Sequence, residues 1–526
     1  AMTEQHDYIV VGAGHNGLTC AAYLARQGHD VLVLEAADTV GGMAATREIA
    51  DGYRVSDVAQ YVYQLQPQII KDLDLERHGL HFAADDLATI GLGEEGHHIR
   101  IRRASLTRNV GQRDKNSLHV FHQLMKKFAQ LMQTYNNKTP PLLAHGTAKD
   151  KMTLARLGLD IRRLGRDDMR DFLRIIGINI YDLLNEYFDN EQVKGVLAFD
   201  AVLGTHLGAR SPNSVLTYLH RLSGLGAGQR GAIAQPRSGL GSVGQAFARA
   251  AQSAGAKIRT GAPVKRILVD GDQVCGVELA SGEIIGASRV MSNADPKTTV
   301  MELAGARYFE TGFIRRINNL RMRGNAARLH LALDGLPAFT GLEAEDHRER
   351  LVIAPDMDYV ERAFNPAKYR EWSTAPVMEI SIPSIADDTL APAGGHVLSA
   401  TVQYAPFHLK GGWTEEATEA FKKLVIKKIA RYAPGIHEQI VHAELVSPAA
   451  LETRYRVQGG HWHHGELALD QFLFVRPVVG ASQYALPLNG LYLCGAGAHP
   501  GGGISGAAGR NAALAAMAVA IEERPA

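Results

Sequence analysis

The sequence predicts an α/β fold in which a nucleotide-binding sheet is combined with a discontinuous α+β substrate domain containing a helical insert. Three observations predict it. Residues 8–43 read YIVVGAGHNGLTCAAYLARQGHDVLVLEAADTVGGM: a strand, a glycine turn, a helix and a second strand that ends in an acid. Residues 117–222 change texture to nearly continuous helix. From residue 264 alternating apolar segments return, and a buried strand at 491–494 runs into another glycine-rich loop.

The first stretch carries the most chemistry. The apolar run 8–11 ends in Gly12-Ala13-Gly14-His15-Asn16-Gly17, a helical pattern follows and stops at Gly28, and Val31–Leu34 ends in Glu35. Gly12 makes the tight turn, Gly14 lets the backbone approach a pyrophosphate, and Gly17 lets helix and strand pack closely. The helix N-terminus faces the phosphates with free amides and a positive dipole. Glu35 accepts from ribose hydroxyls, which argues against a 2′-phosphorylated nucleotide. Gly239-Leu240-Gly241-Ser242-Val243-Gly244 fits the same pattern but follows no buried strand, and no acid stands about 20 residues on. Only the first copy is read as a Rossmann-like dinucleotide site.

At 526 residues the chain exceeds one ordinary domain, and 46% hydrophobic with 21% charged residues is a globular composition. A net charge of +1 makes no case for nucleic acid. Cys20, Cys275 and Cys494 lie far apart in sequence, which argues against a dithiol centre or a cysteine zinc site and fits a reducing compartment. No apolar run approaches the roughly 18 residues of a membrane span, and no signal pattern opens the chain. The expectation is a cytoplasmic protein, with any membrane contact peripheral.

Along the chain, Gly41-Gly42-Met43 can bring a second backbone segment against the phosphates, and 87–92 with 98–103 form a hairpin. Helices are predicted at 118–135, 151–166, 169–188 and 193–203, with Ser211-Pro212 capping another. Arg156, Arg162, Arg163 and Arg166 form a solvated face, or else a contact with anionic lipid. A helix at 243–254 precedes an antiparallel meander, 264–269, 273–279 and 283–291. Strands follow at 326–333, 377–382 and 397–404, then a helix at 415–432, and a last helix at 504–523.

Several stretches resemble FAD-dependent amine oxidases and phytoene desaturases, the phytoene desaturase-like branch above all: GAGHNGL (12–18), QPQIIKDLDLERHGL (66–80), ALDGLP (332–337), HVLSATVQYAP (396–406) and LYLCGAGAHPGGGISGAAGRNAA (491–513). The resemblance implies a glutathione reductase/amine oxidase type of FAD-binding domain formed by residues 1–100, 231–310 and 485–526. The helical insert 101–230 and the mixed-sheet region 311–484 would form the substrate domain. It implies FAD as cofactor, with Gly12, Gly14, His15, Asn16, Gly17, Glu35 and Ala36 at the adenosine end, Gly42 and Met43 by the pyrophosphate or flavin, and Val264 meeting adenine through its backbone. Gly495, Gly502, Gly503 and Ile504 would lie at the flavin, the 501–504 turn aiming helix amides at the ring. Met43 stands where many relatives have arginine, and the last loop lacks the aspartate many flavoproteins use for the ribityl chain.

The reaction expected is oxidation of a CH–CH or related bond of a small apolar, isoprenoid or lipid-like substrate, by hydride transfer to flavin N5 with oxygen or a quinone as electron acceptor. The alternatives are a flavin-dependent isomerase, an amine oxidase, or a flavoprotein with structural FAD that binds a membrane or respiratory complex. The helical insert is expected to line an apolar tunnel. Gly459-Gly460-His461-Trp462-His463-His464-Gly465-Glu466 is the richest polar cluster outside the nucleotide site. Its histidines are too closely spaced for a metal. His464 is the candidate proton acceptor, with a pKa near neutrality, or an orienting donor. Glu466 would hold its tautomer or fix the loop, and His461 completes the candidate set.

Overall fold

The computed structural model describes residues 4–519. Among these residues the first sheet has seven strands. Glu4–Val11 lies at the centre, parallel to Val31–Leu34 on one side and Ile284–Ser292 on the other. Lys257–Arg259 extends it beyond Val31–Leu34, and Gln273–Leu279 and Val264–Asp270 add the predicted antiparallel meander. Leu491–Leu493 pairs with the far half of Ile284–Ser292, so its C-terminal loop opens beside the first glycine turn.

Tyr8–Val10 and Val31–Leu34 are apolar at every position because both faces of the sheet are covered. Helix His15–Arg26 is buried from Asn16 to Ala25 and packs against helices Gly241–Ser253 and Ala507–Met517. Small residues set this approach: a Cβ on Gly509 would stand 2.0 Å from the Asn16 carbonyl oxygen. Helix packing also brings Cys20 beside Cys494, with their side chains hydrogen-bonded. The two thiols are thus neighbours in space, against the expectation drawn from their sequence separation; both are free.

The second sheet has, among the described residues, eight strands, with Ala326–Leu333, His396–Gln403, Val377–Ser381 and Arg350–Ile353 at its core. The hairpin Thr89–Gly91 and Ile99–Arg102 joins its edge, so this sheet draws strands from within residues 1–100 as well as from 311–484.

The helical stretch packs mainly on itself, around Phe121, Phe128, Phe188 and Phe199. Helix Ala148–Arg163 buries only Asp150, so Arg156, Arg162 and Arg163 are solvated, as is Arg166 at the start of the next helix. The single helix expected at 169–188 is two, Arg166–Ile175 and Ile180–Tyr187, because Asn179 caps a new start by accepting from the Asp182 amide. The cap expected at Ser211 is instead Asn213, in the left-handed conformation, ahead of Ser214–Arg221. The last helix begins at Ala507, after Gly506 at φ 78°, which leaves Gly502, Gly503 and Ile504 in the loop before it. Its predicted end at 520–523 lies outside the described residues. Among the described residues no helix is long and apolar enough to cross a membrane.

Candidate active site

A cavity of about 1060 Å³ opens along the C-terminal ends of the first sheet's parallel strands, where such sheets bind nucleotides. Gly12, Gly14, His15, Asn16, Glu35 and Ala36 line one end, with Val264 beside them. Segment 39–46 closes over the glycine turn: the Gly41 amide donates to the Ala13 carbonyl, and a Cβ on Gly42 would lie 3.2 Å from the Gly14 Cα. The Glu35 carboxylate accepts from the Ala13 amide at 2.6 Å and the Ala37 amide at 3.0 Å, which fixes it at the strand tip. A buried Asn16 Oδ1 at this wall has no protein partner. The bare glycine backbone, the anchored acid and the unpartnered Asn16 oxygen fit the adenosine diphosphate half of FAD.

Gly17, Gly495 and Gly502 stand behind the wall and shape it. A Cβ on Gly17 would meet the Gly12 oxygen at 2.2 Å, one on Gly495 the Asn293 oxygen at 2.7 Å, and one on Gly502 the His463 Nδ1 at 2.0 Å. Gly503, Ile504 and Met43 do line the cavity. His15 Nε2 donates to the Gly503 carbonyl at 2.9 Å, tying the first glycine turn to the last. Asn293, at the end of Ile284–Ser292, packs under Gly12, Gly14 and Gly17. No local motif marks it in the sequence.

Glu35→Ala removes the carboxylate at the strand tip, which is expected to accept from the ribose hydroxyls. It is expected to weaken FAD binding by roughly 10- to 100-fold, on the order of 1.5–3 kcal/mol for hydrogen bonds to a charged group, read by fluorescence titration of the apoprotein with FAD.

The opposite end of the cavity is walled by Tyr61, Tyr63, Gln64, Leu203, Trp462 and Glu379. Within 117–222 it is Leu203 that reaches this cavity, while most of the insert's apolar side chains pack around its own core. Glu379 rises from strand Val377–Ser381, its carboxylate held by Arg350 Nε at 2.6 Å and Gln60 Nε2 at 3.1 Å. Arg350 is itself completely buried and also binds Asp200 at 2.6 Å.

Of the candidate catalytic residues, His464 lines the cavity together with His463; His461 and Glu466 do not. His464 is half-buried, adopts φ 56°, and has a buried Nδ1 without a protein partner. Burial first, and then the charge of Arg476, pulls it down to about 4, so it is a neutral imidazole at physiological pH. The expected near-neutral pKa is corrected accordingly. Glu466 does not touch His464: it pairs with Arg323 at 2.9 Å, and its amide donates to the Arg321 carbonyl. It fixes the loop and does not set the histidine's tautomer. His461 accepts from the His463 amide through Nδ1 at 3.3 Å and lies at about 3, again through burial before the Arg476 charge.

Arg476, which no sequence pattern marks, organises this end. Its side chain is 1% exposed and donates to the carbonyls of Ala496, Glu466, Gln471, His463 and Gly465. One side chain thereby clamps the histidine loop to the C-terminal glycine loop. A second unmarked group is Asp57, completely buried beneath Arg47, Arg454 and Tyr455 of the cavity wall. Burial pushes its carboxyl up, but hydrogen bonds from His330, Arg47, Tyr455 and Arg454 outweigh that and hold it well below the usual range. Among the described residues no group of three or more His, Cys, Asp or Glu is placed to hold a metal ion.

Comparison with known proteins places these features in a family context. The model for "Flavin containing amine oxidoreductase" matches residues 17–517. Pyridine nucleotide-disulfide oxidoreductase domain-containing protein 2 of Mus musculus is 33% identical over 97% of this chain and 93% of its own. A limonene dehydrogenase component of Castellaniella defragrans is 26% identical over 97% of this chain and 94% of its own. The structure of cyclohexylamine oxidase from Brevibacterium oxydans superposes with a TM-score of 0.57 at 16% identity, over 98% of each chain, which is a likeness of fold.

Proposed function

The chain belongs to the flavin-containing amine oxidoreductase family, and on that premise we propose that it oxidises a CH–CH bond of a small, mainly apolar molecule. FAD supplies the hydride acceptor, ring atom N5. The chain's own residues bind the dinucleotide along the 12–17 turn, exclude water and orient the substrate against the chamber formed by Tyr61, Tyr63, Leu203 and Trp462. The observation that carries this reading is the state of charge on that wall. Glu379 is spanned by Arg350 and Gln60, so it is no free counter-ion for an ammonium group. An amine substrate would ask for one. A relative named for limonene dehydrogenation adds support for a terpene-like substrate.

The test is anaerobic mixing of the FAD-loaded protein with a cyclic terpene, a long isoprenoid and a primary amine, followed through the visible flavin band. Bleaching by a hydrocarbon is expected, with recovery on adding oxygen or a quinone; bleaching by the amine alone would sink the proposal. NADH and NADPH are expected to bleach it negligibly in stopped flow. The second glycine motif is a packing device: its Gly244 approaches Gly41 so closely that a Cβ would lie 2.6 Å from the Gly41 Cα.

His464 is placed to hold a proton as a neutral base or to orient the substrate. His464→Ala is expected to retain FAD and lose on the order of 10²–10⁴-fold in the rate of flavin reduction. Because its folded pKa is lowered to about 4, His464 is deprotonated throughout pH 6–8, and the wild-type rate should not change with its ionisation there. A rate that rises through pH 6.5 in wild type and in His464→Ala alike would assign the proton step to another group.

A further inference from the structure

We propose that a second cleft, across segment 39–46 from the FAD cavity, binds a phosphate or diphosphate group. The cleft measures about 400 Å³, within the range of small-molecule sites. Its lining includes Arg54, Arg237, Arg249 and His81, together with the hydroxyl residues Thr46 and Ser242, and among the described residues contains no aspartate or glutamate. Three guanidiniums around one concavity without a carboxylate in the wall is an arrangement suited to a multiply charged oxyanion, which arginine binds through paired N–H donors.

These arginines are only lightly committed to the protein. Arg249 donates to the His78 carbonyl at 3.2 Å, which leaves most of its fork free. Arg237 has Asp388 at 3.8 Å, a carboxylate 93% exposed and outside the cleft. Arg54 faces Glu48 across the hairpin, where Glu48 accepts from the Gly52 amide. The cleft floor is the start of helix Gly241–Ser253, whose positive end adds to the field. Its first amides are taken, Leu240 by Ser56 and Gly241 by Thr46, so the recognition falls to the arginine side chains. Thr39, Ala45 and Thr46 line both this cleft and the FAD cavity, so the two sites share a wall.

A free phosphorylated metabolite and an anionic lipid headgroup present the same chemistry, and the test separates them. FAD-loaded protein, with the cofactor's own phosphate subsite filled, is titrated with inorganic diphosphate by calorimetry at 0.15 M salt. In parallel it is sedimented with phosphatidylcholine vesicles containing phosphatidic acid. Saturable binding in one arm is expected, with affinity falling at least tenfold in Arg54→Ala/Arg237→Ala and again in Arg249→Ala. Arg162→Ala/Arg163→Ala, on the remote solvated helix, should bind as wild type. Flavin absorbance and circular dichroism check that each variant is folded. Binding through diphosphate alone identifies a soluble ligand, and binding through vesicles alone identifies a headgroup. Wild-type binding in neither arm, or equal binding by all variants, would overturn the site.

Discussion

Gly14→Val is expected to purify without its yellow cofactor. Gly14 caps helix His15–Arg26 with an extended backbone, φ −70° and ψ 170°, and lines the cavity where the pyrophosphate would lie. Even a single added carbon would stand 2.6 Å from the Asn293 amide nitrogen, and valine adds two more into the path of the phosphates. Asn293 is a side chain and can shift, so the fold survives while the cradle is filled. Flavin content by absorbance should drop below about one tenth of wild type, more than about 1.4 kcal/mol of binding, with unfolding close to that of the wild-type apoprotein. Gly17→Val differs in kind, because its Cβ would meet the Gly12 backbone oxygen at 2.2 Å and strand and helix would have to part. That variant should fail to fold. Full flavin in Gly14→Val would remove the assignment of this turn.

Arg476→Met is expected to cost on the order of 3–5 kcal/mol of stability, because it strips a buried cation from the several carbonyls gathered around it. The methionine stem fills much of the volume, so the loss reports the hydrogen bonds. The histidine loop and the Gly495–Gly503 loop would separate, releasing Gly502 and Gly503 from the contacts that place them at the cavity. Denaturant midpoint and flavin retention should fall together. Arg476→Lys keeps the charge without the planar fork and should recover only part of the loss. An unchanged midpoint for Arg476→Met would show that the two loops hold each other without the clamp.

How legible such features are in sequence depends on how local their physics is. The 12–17 turn, the Glu35 tip and the strands Gln273–Leu279 and Ala326–Leu333 follow from contiguous patterns, because period and turn chemistry act within a few residues. The ring of glycines is readable as a cradle, but Gly17, Gly495 and Gly502 are spacers behind the wall. A glycine pattern reports that something approaches closely, not what does. Asp57 and Asn293 are silent in the sequence because each draws partners from distant segments, and Arg476 because it bonds backbone carbonyls, which no side-chain pattern marks. His464 is marked by its motif, yet its ionisation is not: the shift comes from burial and from Arg476, twelve residues on, and neither is written in the loop itself. The split of 169–188 into two helices is foreshadowed by Gly177 and Asn179, punctuation that the apolar run around it obscures.

The connectivity of the first sheet also sets an order of assembly. Its central strand is made of residues 4–11, its neighbour of 284–292, and the strand that completes that neighbour of 491–493. During synthesis the glycine turn therefore emerges hundreds of residues before the segments that enclose it, with loop-closure entropy to overcome. A nascent chain halted before residue 491 has the 12–17 turn but neither Gly503 nor the His15 contact that joins the two ends. A complete cavity therefore forms only when segments several hundred residues apart have met, and flavin retention reports that long-range closure.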